Sequence, residues 1–195
     1  MNEARRRLVD ELHARSKEHD ESCADRLERF RNVEPPTAEL LGVLIRATGA
    51  RRVLELGTSN GSSTIWLADA AEATGGTVVS IDVDPGRTDL ARRNLRDAGL
   101  AERAEVRTED AAETLARSAD AQWEFVFLDA ERPAYPGYGR DLVRTLAQSG
   151  LLAIDNVQSH AHELIEFTSL IEAERELTQT VVPLGAGLRL AVRDR

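Results

Sequence analysis

Val53-Leu-Glu-Leu-Gly57-Thr-Ser-Asn-Gly61-Ser-Ser63 is the stretch on which the fold turns. Val53–Leu56 is a short apolar run carrying one acid, a length that suits a strand buried on both faces. Gly57 closes the run where the backbone can pass close beneath a ligand, and Gly61 frees a second point before a helical stretch over 62–73. Working outward, Val78–Ile81, Phe125–Leu128 and Leu151–Ile154 read as further buried parallel strands, with Ala104–Val106 a weaker one. Helical stretches near 86–98, 110–118, 139–148 and 160–173 alternate with them. That alternation predicts an α/β fold, an open, mostly parallel sheet with helices on both faces. The chain closes differently. Leu177–Val182 and Leu188–Val192 flank a Pro183–Gly187 turn with no helix between, so the sheet is expected to end in an antiparallel hairpin as its sixth and seventh strands.

Upstream of this unit, residues 1–31 are dense in charge. Their apolar positions are Leu8, Val9 and Leu12, then Cys23, Leu27 and Phe30, which predicts two short helices or one broken helix. Pro35-Pro36 ends the segment, and Leu40, Leu41, Leu44 and Ile45 mark a stronger amphipathic helix over 37–48. The expected organisation is an N-terminal helical extension over 1–34 and one main domain over 35–195. A chain of 195 residues with 42% hydrophobic content buries enough surface to fold without a disulfide or structural metal. Its single cysteine, Cys23, fits a reducing compartment. The net charge of −9, from 25 basic and 34 acidic side chains, argues against non-specific nucleic-acid wrapping and against a basic membrane-surface binder. Arg5-Arg6-Arg7 is not followed by an apolar core, and no run approaches a bilayer span, so a cytoplasmic location is expected. Lys17 is the only lysine; the other 24 basic residues are arginines.

The chemistry-bearing residues fall at strand ends. The glycine pair is G-x-x-x-G, not the G-x-G-x-x-G that aims amides at a pyrophosphate. Glu55 just before it would repel a pyrophosphate but suits a cationic amine, which favours S-adenosylmethionine (SAM) over NAD; a glycine-rich turn with no ligand is an equal alternative for this motif alone. Asp82, at the end of the second strand, can accept both hydroxyls of a ribose, and Asp84-Pro85 reads as the cap and first turn of the next helix. After the third strand, Asp110-Ala111 lies where an acid could accept from an adenine amino group; Asp110-Ala-Ala-Glu113 is also a capping box. Phe125–Asp129 and Leu151–Asp155-Asn156 each run apolar until they end in acid. If the two strands are neighbours, Asp129, Asp155 and the Asn156 carbonyl form a hard-oxygen set suited to Mg²⁺ or Ca²⁺; one such Asp alone would read as a helix cap.

Taken together, LELGTSNGSST, SIDVDP, FVFLDAERPAY and AIDNV resemble the motifs of the cation-dependent class I O-methyltransferases, the group containing catechol and caffeoyl-CoA O-methyltransferases, from about Pro35 to Val192. The resemblance implies a Rossmann-like, seven-stranded sheet. It also implies transfer of a methyl group from SAM to a hydroxyl of a small, catechol-like acceptor, with a divalent cation, expected to be Mg²⁺, orienting and acidifying that hydroxyl. Carried over residue by residue, Glu55, Gly57, Gly61, Ser63, Asp82, Asp110, Ala111 and Asp129 would line the SAM site, and Asp129, Asp155 and Asn156 would hold the metal. No nucleic-acid or membrane partner is expected, and a homodimer is an expectation by analogy alone.

One position departs from the family. Where members commonly carry a lysine assigned as general base, three residues after the first metal aspartate, this chain has Arg132. A guanidinium stays protonated and cannot accept a proton. The metal could then suffice, with Asp129 and Arg132 as the catalytic pair and Arg132 stabilising a phenolate. Alternatively Glu131, His160 or His162 could act as base, or the protein could bind SAM with weak or lost catalysis. Arg132 could equally be a solvated surface residue. A methyltransferase for a hydroxylated tRNA nucleoside is a further alternative, disfavoured by the charge. Tyr135 and Tyr138 could wall an aromatic pocket or pack a loop, while Trp66 and Trp123 read as packing residues.

Overall fold

The computed structural model describes residues 1–194. Seven strands, β1 (Arg52–Leu56), β2 (Thr77–Asp82), β3 (Ala104–Thr108), β4 (Trp123–Leu128), β5 (Leu146–Ile154), β6 (Leu177–Val182) and β7 (Leu188–Arg193), form one sheet in the order β3-β2-β1-β4-β5-β7-β6. The first five are parallel, and β7 runs antiparallel to both β5 and β6, so the expected terminal hairpin closes one edge. Strand order reverses between β1 and β4, the position at which open α/β sheets hold ligands beyond their carboxyl ends.

Side chains alternate across the sheet and divide the core in two. Val53, Phe125, Phe127, Leu151 and Ala153 pack with α1 (Glu3–Ser22), α2 (Pro35–Thr48), α3 (Ser62–Thr74) and α4 (Pro85–Asp97). Leu54, Leu56, Val126, Leu128, Leu152 and Ile154 pack with α5 (Ala111–Arg117), α6 (Tyr135–Thr145) and α7 (Ile165–Ala173). Trp66 and Trp123 are buried packing residues, one in each half. No helix among the described residues is long and apolar enough to cross a membrane.

Two elements differ from the sequence expectation. The N-terminal segment is one 20-residue helix, capped by the Asn2 side chain accepting from Arg5 N at 2.9 Å, followed by a single 3-10 turn at Arg26–Glu28, where the sequence predicts two short helices or one broken helix. Its polar second half docks by hydrogen bonds: Ser16 Oγ, buried, accepts from Asn32 Nδ2 at 2.9 Å and from Asn60 Nδ2 at 2.7 Å. Hydrophobic periodicity is blind to such contacts. The second difference is at 146–148, expected in a helix but paired as strand. Trp123 pairs with Leu146 and Phe125 with Leu151, so β5 bulges over 147–150, with Ser149 at φ +60° taking up the excess.

The helical layer over β1 is locked by Asp69 of α3. Its buried carboxylate accepts from Arg5 of α1 at 2.9 Å and from Arg46 of α2 at 2.6 Å. Glu72, one turn on, also pairs with Arg5 at 2.6 Å but is exposed. Removing one partner of a buried ion pair strands the others, so Asp69→Ala is expected to destabilise the fold by about 3 kcal/mol. Glu72→Ala should cost less than about 1 kcal/mol. Chemical denaturation of both variants checks this, and equal losses would contradict it.

Candidate active site

The carboxyl ends of β1, β2, β4 and β5 meet at the floor of a cleft of about 680 Å³. Backbone pairing continues past the strands and sets their tips side by side. Asp129 N donates to Leu56 O at 2.9 Å, Asp155 N to Leu128 O at 3.1 Å and Gly57 N to Ile81 O at 2.9 Å. The crossing is tight. Gly57 sits at φ +108°, and a Cβ there would lie 2.0 Å from the Asp129 carbonyl oxygen, so only glycine fits. Gly61, at φ +83°, instead lets α4 approach: a Cβ would meet Ala91 Cβ at 2.9 Å.

Among the residues expected to bind a cofactor, Gly57, Ser63, Asp82, Asp110, Ala111 and Asp129 line the cleft, while Glu55 and Gly61 lie beneath and beside it. Asp82 is fixed by two backbone amides, Ser59 N at 2.8 Å on Oδ2 and Asp84 N at 3.0 Å on Oδ1. Asp110 caps α5 through Oδ1, accepting from Ala112 N at 2.8 Å and Glu113 N at 3.2 Å. Asp84 caps α4 in the same manner, at 2.7 and 3.0 Å from Gly86 N and Arg87 N. Tyr138 contributes to the cleft wall, whereas Tyr135 is fully buried, its hydroxyl donating to Ala130 O at 3.2 Å and accepting from Ala130 N at 3.0 Å.

Asp129, Asp155 and Asn156 come together at the β4/β5 end of the cleft. Asn156, at φ +66°, donates from Nδ2 to Asp129 Oδ1 at 2.9 Å, with Asp155 Oδ2 at 3.4 Å. Asp155 Oδ1 is buried without a hydrogen-bond partner. Burial pushes both carboxyls above their ordinary range; Asp129 also feels the charge of Asp155, and Asp155 that of Glu34. Among the described residues no group of three or more His, Cys, Asp or Glu side chains gathers as a metal set, so any hard-cation site here depends on the Asn156 amide as its third ligand.

Three comparisons bear on this geometry. A family model described as O-methyltransferase matches residues 9–194. The chain belongs to the O-methyltransferase family. A Mycolicibacterium smegmatis relative, assigned by name to the O-methyltransferases, is 33% identical over 175 residues covering 83% of each chain. The crystal structure of a Bacillus cereus O-methyltransferase in complex with SAH superposes with a TM-score of 0.81 at 26% identity, covering 96% of this chain and 90% of that one. An O-methyltransferase from Streptomyces achromogenes involved in tomaymycin synthesis, solved with SAM, gives 0.79 at 25% identity, covering 100% and 91%. The family match runs continuously through Glu34-Pro35, and α1 shares the main core through Val9 and Leu12.

In this O-methyltransferase, Arg132 is 4% exposed and not a solvated surface residue. Its Nε donates to Glu163 at 2.8 Å, and the residue lines the cleft beside Asp155 and Asn156. Glu131 is engaged by Arg26 at 3.3 Å and by Arg31, which holds its carboxyl below the usual range against the opposing effect of burial. His160 lines the cleft, with burial and Arg132 depressing its pKa, whereas His162 is 78% exposed and Lys17 lies exposed on α1. Sequence reading missed the 26–34 segment as a wall. Asp20 at the end of α1 accepts from Phe30 N at 2.7 Å and Arg31 N at 2.8 Å, holding Arg31 at φ +52°. Arg87 of α4 donates to Leu27 O and, at 2.9 Å, to Arg29 O. An aspartate ten residues upstream leaves no periodic signal.

Glu55 is fully buried under the Gly57 turn. Its Oε2 accepts from Ser80 Oγ at 2.6 Å and from Thr64, while Oε1 has no partner. Burial raises its pKa to about 7, against the lowering effect of these hydroxyls. A carboxyl raised in the folded state binds more protons there than when unfolded. Stability therefore falls as pH rises from the unfolded value toward the folded one, and the full penalty is present above it. The stability difference between wild type and Glu55→Gln is expected to move in the variant's favour by about 2–3 kcal/mol between pH 4.5 and 8. Denaturation curves of the ligand-free proteins across that range check it. A difference independent of pH would mean Glu55 titrates alike in the folded and unfolded chain.

Proposed function

We propose that this family member transfers a methyl group from SAM to one hydroxyl of a small acceptor bearing vicinal hydroxyls, with a divalent cation at the β4/β5 end of the cleft. The observation that carries the reading is the convergence of Asp129, Asp155 and Asn156, with one buried carboxylate oxygen lacking any partner, beside the Gly57 turn. The residues fit both groups. A cleft of about 680 Å³ accommodates a nucleoside-sized ligand and a small acceptor. The Bacillus and Streptomyces enzymes that superpose on this chain are solved with SAH and SAM respectively, which supports the same ligand here.

For the donor, Asp82 is the ribose acceptor: its two oxygens are anchored by backbone amides yet keep lone pairs toward the cleft. Asp110 caps α5 through one oxygen and leaves the other for an adenine amino group, with Tyr138 and Ala111 on the adjoining wall. Ser63 and the Gly57 turn face the amino-acid end. Glu55 lies too deep for direct contact and supports that turn from below.

For the cation, Asp129 Oδ1, the orphaned Asp155 Oδ1 and the Asn156 amide would be the ligands, the amide reoriented to present its oxygen. When bound, SAM supplies a methyl group already activated by its sulfonium, and a hard cation supplies acidification of the acceptor hydroxyl. The chain's own contribution is placement: Asp129 lies between the two subsites and would hold the acceptor oxygen next to the donor. Arg132 cannot take the proton, but its fixed charge lines the acceptor end of the cleft and favours an anionic acceptor there.

The test is methyl transfer from SAM to catechol with Mg²⁺. EDTA, and separately Asp129→Ala, should each lower turnover by at least about 100-fold while the protein stays folded by circular dichroism. Undiminished transfer in either arm would sink the cation-dependent reading.

A further inference from the structure

Arg132 has more hydrogen-bonding capacity than the protein uses. It is 96% buried as a residue, its Nε is spent on Glu163, and neither terminal nitrogen has a hydrogen-bond partner among the described residues; the cleft is what remains for them. Arg31 lies on the same rim, strained at φ +52° by the Asp20 clamp, with its Nε buried and unpartnered. Strain of that kind persists where the surroundings enforce it, and it brings a second guanidinium to the acceptor end. Both arginines are close enough to Asp129 to oppose the rise in its pKa.

Arg26, Arg31 and Arg132 share the carboxylates Glu131 and Glu163, so the three guanidiniums have two direct ion-pair partners among the described residues. The other acids on this part of the cleft are Glu34, which faces His13 at 3.8 Å, and the Asp129–Asp155 pair. His160 also opens to the cleft, its Nδ1 engaged by Ser159 Oγ at 2.8 Å.

We infer that Arg132, with Arg31, selects an acceptor whose hydroxyl-bearing ring also carries a carboxylate. This rests on the methyltransferase reading above, in which a bound cation offsets Asp129 and Asp155. A guanidinium with Nε already fixed presents its remaining donors in a rigid planar fork, the geometry that matches a carboxylate. A lysine here would be a mobile point charge able to lose its proton. The arginine gives up that acid–base function and gains bidentate recognition.

The experiment is calorimetric titration of the SAH-loaded protein with Mg²⁺, using catechol, 2,3-dihydroxybenzoate and 3,4-dihydroxybenzoate as probes. At least one dihydroxybenzoate should bind about 10- to 100-fold more tightly than catechol, the range of a charge-assisted hydrogen-bonded pair. Arg132→Met should abolish that preference, and Arg132→Lys should keep a part of it, with SAH affinity and melting temperature confirming that both variants are folded. Equal affinity for all three probes in the wild type, or a preference undiminished in folded Arg132→Met, overturns the inference. Failure of every probe to bind overturns it as well. Methyl transfer to catechol in those cases leaves the cation-dependent methyltransferase reading intact, whereas loss of SAH binding and of all transfer removes both.

Discussion

The approach of Gly57 to the Asp129 carbonyl is the contact on which the rest depends. At φ +108°, with room for no side chain, the chain turns off β1 directly against the end of β4. Any Cβ would wedge these tips apart at the point where strand order reverses. Because Asp129 N also completes the ladder to Leu56 O, the same contact fixes the carboxylate relative to the glycine turn. Asp155 is fixed in turn through Leu128 O. Gly57, Asp129 and Asp155 are thus placed at the cleft floor by backbone hydrogen bonds and not by side-chain packing, which gives them the stiffness of the sheet itself.

That stiffness lets the protein hold like charges together. Three acids, Glu55, Asp129 and Asp155, are pushed toward their neutral forms by burial, and each of Glu55 and Asp155 retains an oxygen without a partner. Buried polar atoms without partners cost about 1–3 kcal/mol each. Strain adds to this: three of the five non-glycine residues at positive φ among those described, Arg31, Ser59 and Asn156, line the cleft. The apolar layers on either face of the sheet and the Asp69 lock supply the stability against which these costs are set. Much of this cost gathers where ligands are expected to sit, with Ala121, Ser149, Thr37 and Arg189 as instances elsewhere.

The parallel sheet and its hairpin were legible because buried strands are written in the sequence as apolar runs with a fixed period. The strand-end acids were legible for the same reason, since an Asp that ends Phe125–Leu128 has few other places to point. What could not be read has a common physical cause. Ser16, Asn32 and Asn60 dock α1 through hydrogen bonds between polar side chains, which carry no periodicity. Asp20 builds the Phe30-Arg31 wall across ten residues of sequence, and the bulge over 147–150 mimics a helix end. Arg132 looked equally suited to solvent, because burial of a charge is decided by a partner, Glu163, that lies 31 residues away.

The arginine at 132 also constrains where acid–base work can occur. The other proton acceptors near the acceptor end are each compromised. Glu131 is held ionised by two arginines, so protonating it means giving up their pairing. His160 is kept neutral by burial and by Arg132, which makes it a weak base beside a permanent cation. His162 points to solvent, and the sole lysine is on the outer face of α1. A chemistry that must remove a hydroxyl proton under these conditions is better served by lowering the acceptor's own pKa than by strengthening a base. In the reading proposed above, positive charge at that end of the cleft would do so, from Arg132 and from a divalent cation held by Asp129 and Asp155. On that reading the proton would leave to solvent through the open cleft, and an arginine at 132 would change how the acceptor is activated, with no change required in the fold.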